Sequence, residues 1–550
     1  MSEFDRAIAL ARLAGEPFDV LVVGGGITGA GVALDAASRG LRTALVERDD
    51  FASGTSSHSS KLVHGGLRYL NQKEFGLVTQ SLAERQRLLA NAPHLVRRMP
   101  FVFPVYGGAA AARGVGAALW AYDLAGGARI GHVHRKITAE DALSRVPALR
   151  PGGFSRAYLY YDAHVDDARL TLAVARTAAL DHGAAVANHT AYTGLLRGAT
   201  GRVAGATVRA DGRDIEVKAA VVVNAAGVWV DEVAGLDPSP AGGPPAIRPA
   251  KGVHLAFMRS KLPSAVAAVL PAPEEGRTIF VIPWPGSDRV YVGTTDTDYK
   301  GPLDQAWCTR SDVDYLLEAV NAVTTERLHP SDVVGFWAGL RPLVADAGTE
   351  RSADLSRRHR ITTSSAGVVT VTGGKLTTYR RMAADTVDQV VELLGAGAQS
   401  RTASLKLRGA PTGRREGASA VSDSGPSSHL ARRYGTEIGM VQNLVDQDPD
   451  LSRPLVQGLP YLAAEAVHAV RHEMARTLDD VLDRRLRARM LARDASAAVA
   501  GDVARLIGPD LGWTDDEADS HAEDYRVALM AEAKVAGLPL GDVDRRGRRT

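Results

Sequence analysis

Cysteine is almost missing. The 550 residues contain one, Cys308, so neither an intrachain disulfide nor a cysteine-held iron–sulfur or zinc site can be built. A single thiol also suits a reducing compartment. Charge of one sign is missing as well: 65 basic residues face 63 acidic ones, a formal net charge of +2, without the basic excess that marks a nucleic-acid binder. No run reaches the ~18 apolar residues of a spanning helix. Residues 1–20 place acids before a short apolar run and do not read as a secretory signal. There is no fixed-period repeat. His132 and His134 have a spacing that can place two ligands on one strand face, but no third or fourth ligand accompanies them, so no metal site is expected. What is present is ordinary: 45% hydrophobic and 23% charged residues describe a globular chain. Its length calls for two or three packed units. Arginine outnumbers lysine and alanine is abundant, which reads as genome bias.

The first clear element is the apolar run Phe18–Val23, with the length and β-branched content of a buried parallel strand. A helical pattern with small residues Ala30, Gly31 and Ala33 follows to Arg39, Gly40 stops it, and a second strand, Thr43–Val46, ends at Glu47. This is a βαβ unit of the usual ~30 residues. Between strand and helix lies Gly24-Gly25-Gly26-Ile27-Thr28-Gly29, a G-x-G-x-x-G turn. There Gly24 permits the tight turn, Gly26 lets a pyrophosphate approach the backbone, and Gly29 lets helix pack on strand. The helix start offers free N–H groups to the phosphates. Glu47 can accept hydrogen bonds from both ribose hydroxyls and disfavours a 2′-phosphate.

A dinucleotide turn does not by itself choose between NAD and FAD. The polar, glycine-containing stretch Phe51–Tyr69 replaces the next βα repeat of an NAD enzyme and could wrap an extended cofactor. Ser56, Ser57 and Ser59 could meet phosphate or ribityl oxygens; a serine-rich surface loop is the plainer alternative.

Further along, helices are expected near Leu77–Ala90 and from Asp166 to His182, then a meander with turns at Gly198–Gly201 and Asp211–Gly212. An apolar strand, Ala219–Val223, ends at Asn224-Ala225-Ala226-Gly227, close to where the first glycine turn should lie. The Pro/Gly cluster Asp237–Pro249 reads as a crossing between domains. Strand-like pieces include Thr278–Trp284 and Val290–Thr294. A strand at Val368–Thr372 leads through Gly373-Gly374 to a helix near Thr377. Arg408–Ser428 reads as a linker. Beyond it Val467, Val470, Met474, Leu478, Val481 and Leu482 recur along one helical face.

Read together and in order, GGGITGAG, TSSHSSKLVHGGLRYL, DDARL (166–170), KGVHL (251–255), IPW (282–284), GTTD (293–296), GLRPL (339–343) and GGKLTTYR (373–380) resemble the FAD-dependent glycerol-3-phosphate dehydrogenases. The resemblance runs from about residue 18 to 385 and continues more loosely into a helical C-terminal domain. It implies an α/β fold with a Rossmann-like FAD-binding domain of the glutathione-reductase/D-amino-acid-oxidase type, an α+β substrate domain and a C-terminal helical domain. The expected boundaries are 18–95, 160–240 and 345–400 for the FAD domain, 96–159 and 245–344 for the substrate domain, 408–428 for the linker and 429–540 for the helical domain.

The resemblance further implies oxidation of sn-glycerol 3-phosphate at C2 to dihydroxyacetone phosphate, with hydride passing to FAD and electrons to a membrane quinone. Arg68 and Lys375 match the substrate-phosphate contacts, with Tyr69 beside them. His254, in the KGxH segment, matches a substrate contact that could act as base, and Arg341 would stabilise alkoxide character as hydride leaves. Matching cofactor positions are Gly24, Gly26, Ile27, Thr28, Gly29, Glu47, Ser56, Ser57, Ser59, Lys61, Gly65, Gly66, Ala226, Gly227, Gly374, Lys375, Leu376 and Thr377. Backbone N–H groups at the last of these could face the N1/C2=O edge of the flavin. A cytoplasmic enzyme, peripheral on the inner face of the membrane and able to form a homodimer, is expected. The basic clusters Arg484–Arg489 and Arg545–Arg549 are candidates for anionic lipid. Cys308 lies outside every cofactor motif. Three other readings stay open at this point: an oxidase passing electrons to oxygen, an amine or amino-acid oxidase of the same fold, and a non-catalytic nucleotide-binding module.

Overall fold

The structure, a computed structural model, describes residues 4–67, 69, 74–237, 247–273, 277–344, 358–395, 397–411 and 426–539. Arg68, the basic tail 545–549 and most of the expected linker lie outside the described residues.

Phe18–Val23 is the centre of the first sheet. It pairs in parallel with Arg213–Asn224 on one side and Thr43–Val46 on the other. Val369–Gly373 and Ala185–Ala187 extend those neighbours, again in parallel. Five of the six residues of the central strand are buried, which is why the sequence there shows an apolar run and no alternation. The helix Ile27–Ser38 packs on the helices Asp167–Leu180 and Tyr379–Leu394. Gly31 is small for that reason: a Cβ there would come within 2.8 Å of the Tyr379 ring. The meander is Thr190–Arg197, Val203–Ala210 and the first half of Arg213–Asn224.

The second sheet has ten strands. Ile247–Met258 pairs along its length with Val333–Val344, and on its other side with Arg289–Gly293. That register puts His254 between Trp337 and Gly293. Arg156–Val165 runs through the expected boundary at 160 and lies wholly in this sheet, paired with Val96–Pro104 and Leu62–Val63. Cys308 is buried in the apolar core that the sheet shares with Val313, Leu316 and Val320. His134 bonds Asp123 (2.7 Å), and His132 stacks on Tyr161.

The C-terminal residues are helical, but the apolar face from Val467 to Leu482 is not one helix. Ala463–Glu473 ends at Met474, which takes a left-handed φ of 57°, and the chain resumes as a π-turn at Asp480–Arg485. Asp480 causes the restart by accepting from the backbone N–H groups of Arg476 (2.7 Å) and Thr477 (3.2 Å), a local bond that competes with helix continuation. These helices share one core with the second sheet, where Leu486, Met490 and Leu491 meet Trp284, Tyr291 and Trp337.

The arginines of the 484–489 cluster face inward, contrary to the expectation of a lipid contact. Arg484 and Arg485 bond Asp50, Arg487 bonds Asp167, and Arg489 pairs with Asp483 and Glu532. Among the described residues no helix is long and apolar enough to cross a membrane.

The first turn of the helix Ile27–Ser38 admits no side chain at position 29, since a Cβ on Gly29 would fall 1.8 Å from the Gly24 carbonyl oxygen. Gly29→Ala is expected to lower the unfolding free energy by at least ~1–3 kcal/mol, measured by urea titration. Wild-type stability would mean that the turn relaxes freely.

Candidate active site

Three chain segments converge at the carboxyl ends of the first-sheet strands, where ligands bind in open α/β folds. Gly26 precedes the helix Ile27–Ser38 as its cap, and the Ile27 N–H donates to Ser56 Oγ (2.9 Å). Gly24 packs against the turn after the neighbouring strand: a Cβ on it would lie 2.7 Å from Ala225 O and 3.1 Å from Ala226 Cα. Ala226 and Gly227 therefore form one rim with the glycine turn. Glu47, just past the second strand, accepts from Gly25 N–H (2.6 Å) and Asp49 N–H (2.8 Å). Burial outweighs these two bonds and pushes its carboxyl up to about 7.

Below this rim a cavity of about 510 Å³ runs to the second sheet. Ile27, Ser56, Gly374, Lys375, Leu376 and Thr377 line one end. Lys375 precedes the turn Leu376–Thr378, which continues into the helix Tyr379–Leu394, so free N–H groups start there. Thr377 Oγ1 bonds the backbone of His64 in both directions (3.3 and 3.4 Å).

At the other end His254 is buried, with Nε2 at 2.8 Å from Ser60 Oγ and its ring stacked on Trp337 at 4.9 Å. Burial, then the charges of Lys61 and Arg341, hold this imidazole well below the ordinary histidine range, so it is neutral at pH 7. Its Nδ1 has no hydrogen-bond partner among the described residues. Such an atom costs ~1–3 kcal/mol while unsatisfied, so a ligand that meets it gains by that amount. Arg341 is fixed by Asp296 (3.0 Å), Thr294 Oγ1 (3.1 Å) and the carbonyls of Lys251 and Thr295. The Lys375 ammonium lies 3.7 Å from the Tyr69 ring centroid, a cation–π contact.

The cavity thus unites Ile27, Ser56, Ser59, Gly66, Tyr69, His254, Arg341, Gly374, Lys375, Leu376 and Thr377. Gly24, Gly26, Thr28, Gly29, Glu47, Ala226 and Gly227 lie at or beside the rim. Ser57, Lys61 and Gly65 do neither. Ser57 Oγ bonds His58 Nδ1 (3.0 Å), and Gly65 N–H donates to Tyr122 OH (2.9 Å). Lys61 is fully buried against Asp167, with both carboxylate oxygens at 3.1 Å, because an ammonium taken out of water needs a countercharge.

The described fold agrees with known proteins. Residues 19–380 match the FAD dependent oxidoreductase family, and residues 400–518 match the C-terminal domain of alpha-glycerophosphate oxidase. The glycerol-3-phosphate dehydrogenase 2 of Mycobacterium tuberculosis (strain CDC 1551 / Oshkosh) is 43% identical over 97% of this chain and 92% of its own. The chain belongs to the FAD-dependent glycerol-3-phosphate dehydrogenase family. The crystal structure of the Bacillus halodurans glycerol-3-phosphate dehydrogenase complexed with FAD covers 100% of both chains at 28% identity and a TM-score of 0.76. The FAD-bound L-alpha-glycerophosphate oxidase of Mycoplasma pneumoniae, 16% identical over 71% of this chain with a TM-score of 0.55, shares the fold. FAD is the cofactor, and the chain fits it: a side-chain-free glycine turn, a helix start and an acid at the next strand end.

In this family member, Ser60, His58, Asp162 and Arg277 also line the cavity, and sequence reasoning assigned them no role. Ser60 and His58 stand inside the quoted TSSHSSK block, so position alone could have raised them. Arg277 and Asp162 carry no motif.

The raised Glu47 carboxyl gives a pH test. The ionised carboxylate is the stronger acceptor and the form able to accept from both ribose hydroxyls at once, so FAD binding should draw Glu47 into its ionised form below pH 7. The affinity for FAD should fall about tenfold per pH unit below ~7 and level off above it, as read by flavin fluorescence quenching of the apo chain. Glu47→Gln should flatten that dependence; an unaltered slope would remove Glu47 from the ribose site.

Proposed function

We propose that the cavity takes sn-glycerol 3-phosphate and that the chain's residues support oxidation of its C2 hydroxyl to dihydroxyacetone phosphate, with a membrane quinone as acceptor. The observation that carries the reading is a buried neutral imidazole, His254, in the same cavity as the fixed guanidinium of Arg341 and the ammonium of Lys375. FAD, when bound, supplies the hydride acceptor. Lys375, with Arg68 by family resemblance, is assigned to the phosphate dianion. One charge pair at 4 Å and an effective dielectric near 20 is worth roughly 4 kcal/mol before desolvation, which separates the phosphate ester from free glycerol. His254 takes the C2 hydroxyl proton on a ring nitrogen. Arg341, already held by four acceptors, stabilises the developing alkoxide without reorganising.

The quinone and the membrane rest on one helix, Ala109–Leu124. Gly114, Val115 and Ala118 line the cavity, while Trp120 and Leu124 of the same helix are 56% and 83% exposed, with Val133 nearby in sequence also exposed at 53%. An apolar acceptor dissolved in a bilayer would meet this helix first, and cytoplasmic enzyme would attach peripherally there. The match of residues 400–518 to the domain of an oxidase favours a second reading, with oxygen as acceptor.

An anaerobic visible spectrum decides the substrate. Flavin bands near roughly 370 and 450 nm should bleach on adding sn-glycerol 3-phosphate; bands that bleach only with sarcosine or another amine would overturn the assignment. Reoxidation by a quinone analogue faster than by air is expected, and rapid peroxide formation would move the acceptor to oxygen.

Burying Trp120 and Leu124 in lipid is worth ~1.5–3 kcal/mol each. The double variant Trp120→Glu/Leu124→Glu should therefore lose vesicle binding by more than about tenfold while keeping its rate with a water-soluble dye. Equal sedimentation with vesicles would place the membrane contact elsewhere.

A further inference from the structure

The C-terminal helical residues send one fully buried side chain into the turn behind His254. Arg487 has a left-handed φ of 68° and no exposed surface, a conformation that costs a non-glycine residue of order 1–3 kcal/mol. Its Nη2 donates to the Ser57 carbonyl and to Asp167 Oδ1 (2.9 Å), and its Nε lies 3.4 Å from Asp166. Asp167 in turn accepts from Ser59 N–H (3.0 Å), Ser59 Oγ (2.7 Å) and Lys61 Nζ. Those residues bracket Ser60, whose hydroxyl meets His254 Nε2 and whose carbonyl accepts from Tyr291 OH (3.0 Å).

A second branch reaches the same ring. Lys61 Nζ stands 4.8 Å over Trp337, Trp337 Nε1 donates to the Ser59 carbonyl (3.2 Å), and Trp337 stacks on His254 with 9° between the planes. Both supports of the imidazole therefore depend on the turn that Arg487 and Asp167 hold.

We infer that Arg487 is a positioning residue for the reacting end of the cavity: it fixes the Ser57–Lys61 turn, and through Ser60 the orientation and proton-accepting state of His254. The role assigned to His254 rests on the proposed function; the path from Arg487 to the ring does not. Lys61 would still neutralise Asp167 if Arg487 lost its charge, so the turn would loosen without leaving a bare buried carboxylate.

The strongest charges acting on His254 are those of Lys61, Arg341, Asp167 and His58, with the Tyr291 ring also packed against it. Of these Asp167 alone favours the imidazolium. Removing the Arg487 cation leaves Asp167 less compensated, so His254 should gain its proton at a higher pH.

Three flavin-loaded variants test this: Arg487→Gln, Ser60→Ala and the double. Each single change should lower kcat by about tenfold to a hundredfold with KM little changed. The acid limb of kcat should move to higher pH in Arg487→Gln, and the double should be no worse than the poorer single. Multiplying effects, or wild-type kcat in Ser60→Ala, would break the path. Should Arg487→Gln not fold, Arg487→Lys keeps the charge without the fork; an intermediate kcat with the wild-type acid limb is expected, and wild-type kcat would overturn the inference. In the apo chain, the imidazole NMR signal missing from His254→Asn should titrate at higher pH in the Arg487 variant, and an unmoved titration would overturn the inference whatever the substrate proves to be. Failure of wild-type flavin to bleach with sn-glycerol 3-phosphate would instead count against the function alone.

Discussion

The buried carboxylate of Asp167 is the contact on which the rest of the site depends. It opens the helix Asp167–Leu180, where the helix end favours negative charge, and it meets Lys61, Ser59 and Arg487 at once. Burial opposes the charges of Lys61 and Arg487 and the hydrogen bond from Ser59 there, and the latter win, holding Asp167 below the usual carboxylate range. Breaking such a pair by removing one partner costs ~3–5 kcal/mol. This carboxylate thereby anchors the serine-rich turn between the helix Ile27–Ser38 and the second sheet. Lys61 is thereby withdrawn from cofactor phosphate: burial lowers its ammonium to about 7 even with Asp167 opposing, and a further step away from the carboxylate would neutralise it.

How far the sequence could be read follows from distance along the chain. The strand, glycine turn, helix and Glu47 are one local unit, and both periodicity and spacing expose it. The reacting end is different: Ser60, His254, Arg341 and Lys375 come from four segments, and the pairing of Ile247–Met258 with Val333–Val344 brings two of them, His254 and Arg341, onto adjacent strands. Register of that kind leaves no mark in composition, and the family resemblance supplied what spacing did not. Lys61 shows the same limit: its motif neighbours suggest the cofactor, while its ammonium meets a carboxylate 106 residues away. The apolar spacing from Val467 to Leu482 hides a helix end, because it continues past Met474 to where Asp480 starts a new turn.

Arginine abundance, which reads as genome bias, has a structural use at several buried positions. Arg85 faces Asp162, Arg169 faces Glu473, Arg433 faces Glu465, and Arg485 faces Asp50. A guanidinium stays charged when buried and engages two acceptors in a fixed plane, which an ammonium cannot do. Apolar packing between the C-terminal helices and the second sheet supplies adhesion, but apolar surfaces tolerate sliding. The forks Arg169–Glu473 and Arg485–Asp50 tie the C-terminal helices to the first-sheet unit instead, and Arg487 extends that tie into the turn behind His254.

The cations around His254 have a second consequence for the proposed chemistry. Lys61 and Arg341 help keep His254 neutral in the free enzyme, which is the form able to accept a proton. A phosphate dianion entering beside Lys375 offsets part of that positive field, and a negative neighbour raises the pKa of an imidazole. Substrate binding therefore makes the base stronger as the C2 hydroxyl arrives, while in the empty site the same charges keep it from being protonated by solvent. A glycerol lacking the phosphate would forfeit both the binding energy and this adjustment, so discrimination falls on the rate of proton transfer as well as on affinity.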